Sequence, residues 1–311
     1  GAFKCGPDYI DPMFHSRIIG AKSANLDLHF FSENTLRFLL AKNAAGCDVS
    51  VIEGAMGFYD GAGLTTWKTS AYELALVTKT PVVLVVNARG AALSVLAVIE
   101  GFLRFRPESG IRGVILNQCT AMTYASLSAA IEERFGIRCF GFLPRLDECV
   151  LKSRHLGLVT AGEIRDLREK MQTLAAQAEK TLGIDALLAL AHKAEPLDYT
   201  PAVLPKKEKI RLAVARDNAF CFYYEDNLEA FREMGGEIVE FSPLLDKELP
   251  KDIQGLYLGG GYPELYADRL EQNLPMRRAV KKAVENGMPV IAECGGFMYL
   301  HKSMEDMEGT F

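Results

Sequence analysis

The sequence lacks the features that define several large classes of protein. It has no Cys-x-x-Cys pair among its 7 cysteines and no apolar run near the ~20 residues that a membrane-spanning helix needs. It also has no basic excess, with 35 Lys and Arg against 40 Asp and Glu. These absences argue against a disulfide framework or zinc cage, a membrane partner and a nucleic-acid partner. We therefore expect a cytoplasmic protein whose cysteines are mostly small buried hydrophobic residues.

The composition is that of a folded globular protein. Hydrophobic residues make up 49% of the chain and charged residues 24%. At roughly 100–200 residues per domain, 311 residues predict two domains, each with a core of its own.

Short apolar runs alternate with helical patterns along the chain. The predicted strands are 49–52, 82–86, 114–116, 210–215, 255–258 and 290–292. The predicted helices include 33–42, 91–104, 124–135, 275–286 and one long helical pattern over 161–191. This alternation predicts an α/β fold with mainly parallel sheets, in which ligands bind at the carboxyl ends of the strands.

A segment rich in proline and charge divides the sequence. It lies at 196–208, follows the long helical pattern and precedes a new strand at 210. We interpret it as a linker between a first domain over 1–195 and a second over 209–311.

Cys294 carries the strongest individual signal. It stands in Glu293-Cys-Gly-Gly296, between a predicted buried strand and a predicted helix. A nucleophile elbow has this pattern, because the sharp turn exposes the thiol and the helix N-terminus favours a thiolate. The alternative explanation is a buried cysteine before a flexible glycine pair.

The segment Gly259-Gly-Gly-Tyr-Pro-Glu264 follows another predicted strand. Its backbone amides are candidates for an oxyanion hole beside Cys294, although three glycines also suit an ordinary turn. A cysteine nucleophile needs a base as well. His301 lies about two helical turns beyond Cys294, so we interpret it as structural or solvated rather than as that base.

Four acidic residues mark the first domain. Glu53 closes a predicted strand, where its carboxylate is a candidate ligand for the Mg²⁺ of a nucleotide. Asp8, Asp11 and Asp60 fall in predicted loops bounded by Pro or Gly, which suits either a cation or polar substrate or simple turn formation.

Other polar residues are more ambiguous. Lys4 is a candidate phosphate contact, and Asn117 follows a strand where its amide suits the edge of a purine. For both, capping of a turn explains the pattern equally well. His155, beside Arg154, is interpreted as structural.

Several motifs occur together and in order along nearly the whole chain. They are Phe3-Lys-Cys-Gly-Pro-Asp-Tyr-Ile-Asp-Pro12, Ile52-Glu-Gly-Ala-Met-Gly-Phe-Tyr-Asp-Gly61, Arg154-His-Leu-Gly-Leu158, Gly259-Gly-Gly-Tyr-Pro-Glu264 and Glu293-Cys-Gly-Gly296. In this combination the chain resembles the cobyrinic acid a,c-diamide synthase family.

The resemblance implies a two-domain enzyme of cobalamin biosynthesis. Its first domain would be a P-loop NTPase fold similar to dethiobiotin synthetase, and its second a class I glutamine amidotransferase. ATP with Mg²⁺ would convert the c and then the a acetate carboxylate of cobyrinic acid to acyl phosphates. Ammonia released from glutamine would then displace the phosphate.

Individual roles follow by the same resemblance. Cys294 would be the thiol nucleophile, with Gly260, Gly261 and Gly295 stabilising the oxyanion. Glu53 would bind Mg²⁺, Lys4 would lie near phosphate and Asn117 would contact adenine. Around the substrate carboxylate, the resemblance places Asp8, Tyr9, Asp11 and Asp60.

The sequence departs from the family in two ways. It contains neither the phosphate loop that precedes the Lys4 motif nor the catalytic histidine that follows the elbow. We therefore expect a fragment with little hydrolysis of ATP or glutamine by itself, and the function applies to the full-length enzyme. The sequence does not determine the oligomeric state.

Two alternatives stay open. One is the Ni-sirohydrochlorin a,c-diamide synthase of coenzyme F430 biosynthesis, which shares these motifs; cobyric acid synthase fits the residues after Glu53 less well. The other is a non-catalytic, P-loop-type regulatory ATPase, for which Cys294 would be dispensable.

Overall fold

The structure, a computed structural model, describes residues 1–151, 153–154, 157–158, 166–305 and 309. The chain forms two compact units, Gly1–Ala202 and Val203–Phe311, each with its own sheets and core. Across the described residues, no helix is both long enough and apolar enough to cross a lipid bilayer.

Two parallel sheets and a short hairpin form the described part of the first unit. The strands are β1 (Ala2–Cys5), β2 (Ser23–Leu26), β3 (Val51–Glu53), β4 (Val82–Asn87), β5 (Ile111–Asn117), β6 (Arg138–Leu143), β7 (Ser153–Arg154) and β8 (Gly157–Leu158). The sheet orders are β2-β1-β3 and β4-β5-β6, with every pair parallel, while β7 and β8 pair antiparallel.

Helices connect these strands. They are α1 (Ile10–Arg17), α2 (Glu33–Ala44), α3 (Ala71–Thr78), α4 (Ser94–Phe105), α5 (Ala121–Phe135), α6 (Leu167–Thr181) and α7 (Ile184–Ala191). The sequence sets several of their ends: the Thr120 side chain accepts from the Thr123 amide at the start of α5, and Gly136 ends it with φ 65°.

Each sheet of the first unit has a separate core. Phe3, Leu26 and Leu36, all 1% exposed or less, pack between the β2-β1-β3 sheet and its helices. Val114 and Ile131 anchor the core of the β4-β5-β6 sheet. Because the strands are parallel, the residues after β1, β2 and β3 lie along one sheet edge.

The prediction of one long helix over 161–191 is wrong. The chain leaves the helical conformation at Leu182, which is extended, and α7 starts at Ile184. The Gly183 amide donates to the Phe140 carbonyl at 2.7 Å, so the break lets the backbone join the edge of β6. A tertiary hydrogen bond overrides the local helix propensity at this position. Residues 161–165 lie outside the described residues.

The second unit contains one parallel sheet in its described part. The strands are β9 (Arg211–Ala215), β10 (Glu237–Phe241), β11 (Gly255–Leu258) and β12 (Val290–Ala292), in the order β10-β9-β11-β12. The helices are α8 (Glu225–Glu233), α9 (Ala267–Gln272), α10 (Leu274–Glu285) and α11 (Gly295–Tyr299). Apolar residues of β9 and β11 pack against α9 and α10, so the carboxyl ends of these strands are held on a buried sheet.

The proline-rich segment is divided between the two units. Leu197 packs on the core beneath β1, and the Asn34 side chain exchanges two hydrogen bonds with the backbone of Thr200. The Lys207 amide donates to Met234 in the second unit. The first unit therefore includes residues beyond 195.

The cysteines are less buried than predicted. Three of the seven free thiols are buried, Cys294 is exposed and the other three lie in between. The expectation that most are buried is wrong, because only Cys5, Cys119 and Cys139 pack within a hydrophobic core. Cys294 instead occupies the turn between β12 and α11, which directs the chain out of the sheet.

Candidate functional site

Cys294 occupies a strained turn at the carboxyl end of β12. Its φ is 48° and its ψ −111°, a combination that an L-residue rarely adopts. Its side chain is exposed, and its carbonyl accepts from the Met298 amide at 2.9 Å as α11 begins. A strained residue between strand and helix is characteristic of a nucleophile elbow.

The three candidate glycines lie around this cysteine. A Cβ atom placed on Gly260 would be 3.5 Å from the Cβ of Cys294, and one placed on Gly295 would be 3.2 Å from the Gly261 nitrogen. The fold therefore brings the loop after β11 against the turn after β12. Neighbouring parallel strands β11 and β12 produce this juxtaposition, because both end at the same edge.

The glycines differ in what their backbone groups do. The Gly259 amide donates to the Tyr223 hydroxyl at 2.9 Å, and the Gly260 carbonyl accepts from the amides of Cys221 and Phe222. Gly295 is the first residue of α11, where an amide has no acceptor within its own helix. A Cβ on Gly261 would lie 2.1 Å from the Ala219 carbonyl oxygen, so the loop admits only glycine there.

Sequence reasoning missed the aromatic residues that support this turn. The Tyr257 hydroxyl donates to Glu293 at 2.9 Å, and the Tyr223 ring meets the Tyr257 ring edge-on with centroids 5.2 Å apart. The available signals were the aromatic-rich segment 220–224, which has no motif of its own, and the position of Tyr257 within the predicted strand 255–258.

His301 follows α11 and is exposed. Its Nδ1 lies 2.9 Å from the Phe297 carbonyl oxygen, and its ring packs edge-on against Phe297. Both contacts are with the preceding helix, in keeping with an interpretation as a structural or solvated residue.

In the first unit, Lys4 lies between two carboxylates. Its Nζ is 2.5 Å from Asp11 Oδ2, 3.1 Å from Glu53 Oε1 and 3.3 Å from the Gly54 carbonyl oxygen. These three acceptors match the three protons of an ammonium group. Lys4 is 5% exposed, and although burial lowers its pKa, the hydrogen bond to Asp11 and the charges of Glu53 and Asp11 raise it above the usual value.

His15 completes this cluster and was not recognised from the sequence. Its Nε2 lies 3.0 Å from Glu53 Oε2, and its Nδ1 lies 3.3 Å from the Ser23 hydroxyl. The hydrogen bond from His15 holds the pKa of Glu53 below its usual value, with help from the charge of Lys4 and against the opposing effect of burial. The spacing of His15 four residues after Asp11 on α1 was the signal that could have revealed it.

The remaining predicted acidic residues take local positions. Asp8 Oδ1 accepts from the amides of Ile10 and Asp11 at 2.7 and 3.0 Å, so it caps the start of α1. Asp11 lies within the first turn of α1, not in the predicted loop, because Asp8 caps a helix that already includes Asp11.

Tyr9 is the residue before α1 and is half-buried. Asp60 is exposed and accepts from the Gly57 amide at 2.8 Å within its own turn. The described contacts therefore join Lys4, Asp11, Glu53 and His15, with Asp8 adjacent, whereas those of Asp60 are local.

Asn117 lies on the other sheet of the unit, at the carboxyl end of β5. Its Oδ1 accepts from the Gln118 amide at 3.0 Å, and its carbonyl accepts from the Ala88 amide at 2.8 Å. Of the Arg154 pair, Arg154 belongs to β7, and His155 lies outside the described residues.

The acidic cluster around Glu53 offers carboxylate oxygens to a metal ion. Among the described residues, no group of three or more His, Cys, Asp and Glu side chains could hold a metal. Mg²⁺ needs fewer, since it keeps several waters and binds through one or two carboxylates together with substrate phosphates. The Glu53 side chain is 46% exposed, and each oxygen retains a lone pair beside its single N–H donor, so the cluster fits that kind of binding.

The second unit has the sheet, exposed cysteine and glycine turns of a glutamine amidotransferase. In agreement, residues 211–310 match the family described as the CobB/CobQ-like glutamine amidotransferase domain. Together with the relatives below, this defines the class of protein as a glutamine-dependent carbon–nitrogen ligase.

Curated relatives match nearly the whole chain. The cobyrinate a,c-diamide synthase of Caldanaerobacter subterraneus subsp. tengcongensis is 44% identical over 99% of this chain and 68% of its own length. Those of Priestia megaterium and Thermoplasma volcanium are 41% and 38% identical over 99% of this chain and 67% of their lengths. No solved structure matches. The chain belongs to the cobyrinate a,c-diamide synthase family, whose members act in cobalamin biosynthesis.

Proposed function

We propose that the protein carrying this sequence amidates the a and c acetate carboxylates of cobyrinic acid, with glutamine as the nitrogen donor and ATP as the activating substrate. The relatives are named for this diamide synthesis. The observation that carries the proposal is the exposed, strained Cys294 beside the Gly259–Gly261 loop, because this is the arrangement that amide attack requires.

In the nitrogen-donating half, the Cys294 sulfur attacks the side-chain carboxamide carbon of glutamine. A carbon–sulfur bond forms, and the carbonyl oxygen acquires the negative charge of a tetrahedral intermediate. The amides of Gly261 and Gly295, with Gly260 beside them, are the candidate donors to that oxygen. The carbon–nitrogen bond then breaks as the proton given up by the thiol passes to the nitrogen, ammonia leaves, and water hydrolyses the glutamyl thioester.

In the activating half, a carboxylate oxygen of the substrate attacks the terminal phosphoryl group of ATP, and ADP leaves. A carboxylate is a poor electrophile until one oxygen becomes part of a good leaving group, so an acyl phosphate precedes attack by ammonia. We assign Glu53 to the Mg²⁺ that accompanies ATP, where the ion would neutralise phosphate charge. Asp8, Tyr9, Asp11 and Asp60 are assigned to the region of the substrate carboxylate and acyl phosphate.

The nucleotide would bind to a P-loop NTPase fold similar to dethiobiotin synthetase. The parallel sheets of the first unit support this assignment, as does the acidic cluster at the carboxyl ends of β1 and β3. Asn117 is assigned to adenine. Lys4 is assigned near phosphate by family resemblance, while its three present contacts show that it also fixes Asp11 and Glu53.

The test separates the two halves. Cobyrinic acid, Mg²⁺ and ATP are incubated with the full-length protein that carries this sequence and either glutamine or ammonium chloride, and amides are counted by mass spectrometry. Cys294→Ala is expected to lose the glutamine-dependent reaction and to keep the ammonia-dependent one. Cys47→Ala removes a half-buried thiol of the first unit and serves as the matched control.

Three results would contradict the proposal. Retention of glutamine-dependent amidation by Cys294→Ala would exclude the cysteine as nucleophile. Conversion of Ni-sirohydrochlorin but not of cobyrinic acid would show that the assigned substrate is wrong. Absence of amidation of either macrocycle by the unmodified protein, with both nitrogen sources, would reject the ligase assignment.

A further inference from the structure

Tyr223 joins two strand ends of the second unit through one oxygen atom. Its hydroxyl donates to the carbonyl of Ala215, the last residue of β9, and accepts from the Gly259 amide at 2.9 Å. Burial raises the pKa of Tyr223, so the hydroxyl keeps the proton that it donates to Ala215. The loop after β11 is thereby tied to the neighbouring strand of the sheet.

Gly259 is shaped to receive this phenol. A Cβ atom at Gly259 would lie 2.4 Å from Cζ of Tyr223 and 2.8 Å from its hydroxyl oxygen. No larger residue leaves room for both the ring and the hydrogen bond. The three glycines thus have different roles. Gly259 packs against the Tyr223 ring, whereas Gly260 and Gly261 lie close to Cys294 and Gly295.

The Tyr223 ring also reaches the other side of the candidate site. It meets the Tyr257 ring at an interplanar angle of 87°, and the Tyr257 hydroxyl donates to Glu293, the residue before Cys294. The Arg216 guanidinium lies over the Tyr223 ring, 5.4 Å from its centroid. A single side chain is therefore in contact with the glycine loop and, through Tyr257, with the cysteine turn.

We infer that Tyr223 is a positioning residue for the glutamine site: by holding Gly259 against Ala215, it fixes the Gly260 and Gly261 amides at the distance from Cys294 that the oxyanion requires. This inference rests on the proposed role of Cys294. Oxyanion donors act by being fixed before charge develops, so a loop that shifts by a fraction of an ångström loses stabilisation while the thiol stays exposed.

The experiment uses an aldehyde that forms the same tetrahedral centre. With glutamate γ-semialdehyde, the Cys294 sulfur bonds to the carbonyl carbon, and the thiol proton passes to the oxygen. The adduct protects Cys294 from iodoacetamide, whose own reaction is a simple displacement without an oxyanion. Mass spectrometry of the Cys294 peptide gives the alkylation rate with and without the aldehyde.

In Tyr223→Phe, the alkylation rate without aldehyde is expected to match that of the unmodified protein. Protection is expected to need about tenfold more aldehyde, below the 10²–10³-fold effect of deleting an oxyanion donor outright. Tyr72→Phe is the matched control, because Tyr72 is a buried tyrosine of the first unit whose hydroxyl also donates to a carbonyl, that of Pro107 at 3.1 Å. It is expected to leave both measurements unchanged.

Gly259→Ala tests the same contact from the glycine and is expected to give the same pattern, so it decides the question if Tyr223→Phe does not fold. Equal protection of the unmodified protein and either folded variant would overturn the inference. A change in alkylation rate equal to the change in protection would also overturn it, since that result indicates general disturbance of the turn. Failure of the aldehyde to protect the unmodified protein would instead reject the role of Cys294.

Discussion

Replacement of Lys4 by methionine tests whether the ammonium group holds the acidic cluster together. The substitution keeps an unbranched chain of similar length and removes the charge. Asp11, whose side chain is 23% exposed, would lose its ion pair with Lys4 at 2.5 Å. The more exposed Glu53 would lose its ion pair with Lys4 at 3.1 Å. Breaking a buried ion pair costs about 3–5 kcal/mol, and the exposure of Glu53 places the expected loss at about 3 kcal/mol.

The loss also has a defined pH dependence. Because the pKa of Glu53 is lowered in the folded protein, the stability that it contributes is present above its unfolded pKa, about 4.3, and is lost as the pH falls through the lower folded value. The stability difference between the unmodified protein and Lys4→Met is therefore expected to be largest near neutral pH. It should narrow as the pH falls through the lowered pKa of Glu53, because the carboxylate that Lys4 stabilises then becomes protonated.

Urea unfolding of the first unit at pH 7 and at low pH measures this difference. Lys79→Met is the matched control, since Lys79 forms an exposed 3.4 Å pair with Glu195 and should change stability by less than about 1 kcal/mol. Adding Asp11→Asn to Lys4→Met is expected to recover part of the loss, because one unpaired charge disappears. A Lys4→Met protein as stable as the Lys79→Met control would refute the idea that the ammonium group holds the acidic cluster together, and would leave phosphate contact as the main role of Lys4.

Two further expectations concern the cysteine turn. Cys294→Gly should raise the free energy of unfolding of the second unit by about 1 kcal/mol. Relief of the strain at φ 48° contributes about 1–3 kcal/mol, which exceeds the roughly 0.5–1 kcal/mol entropic cost of glycine. Equal or lower stability of the variant in denaturant titrations would contradict stored strain at this residue. Gly296→Ala should destabilise the unit by more than about 2 kcal/mol, because its Cβ would lie 2.0 Å from the Leu258 carbonyl oxygen. Gly287→Ala, with φ 84° and no neighbour within 4 Å, measures the cost of a side chain at a left-handed glycine without a clash, and a loss no larger at Gly296 would argue against the clash.

Secondary structure could be predicted where one residue class dominated a segment. The runs at 82–86 and 255–258 are uninterrupted apolar stretches and form β4 and β11. The strands β2, β6 and β10 were missed, because polar or glycine residues interrupt them, as in Arg138-Cys-Phe-Gly-Phe-Leu143. Such strands are stabilised by the neighbours they pair with, which a local pattern does not contain.

The sequence by itself determined the family, because the identity and order of the motif residues are read directly from the chain, without knowledge of the fold. It also identified Cys294 and its glycines as one candidate group. Only the tertiary structure decided which atoms meet: Lys4 lies between Asp11 and Glu53, His15 joins Glu53 from α1, and Tyr223 holds Gly259. These contacts span separations from 36 to 49 residues, apart from that of Lys4 with Asp11. They depend on parallel strands ending at a common edge, which pattern and propensity along the chain do not specify.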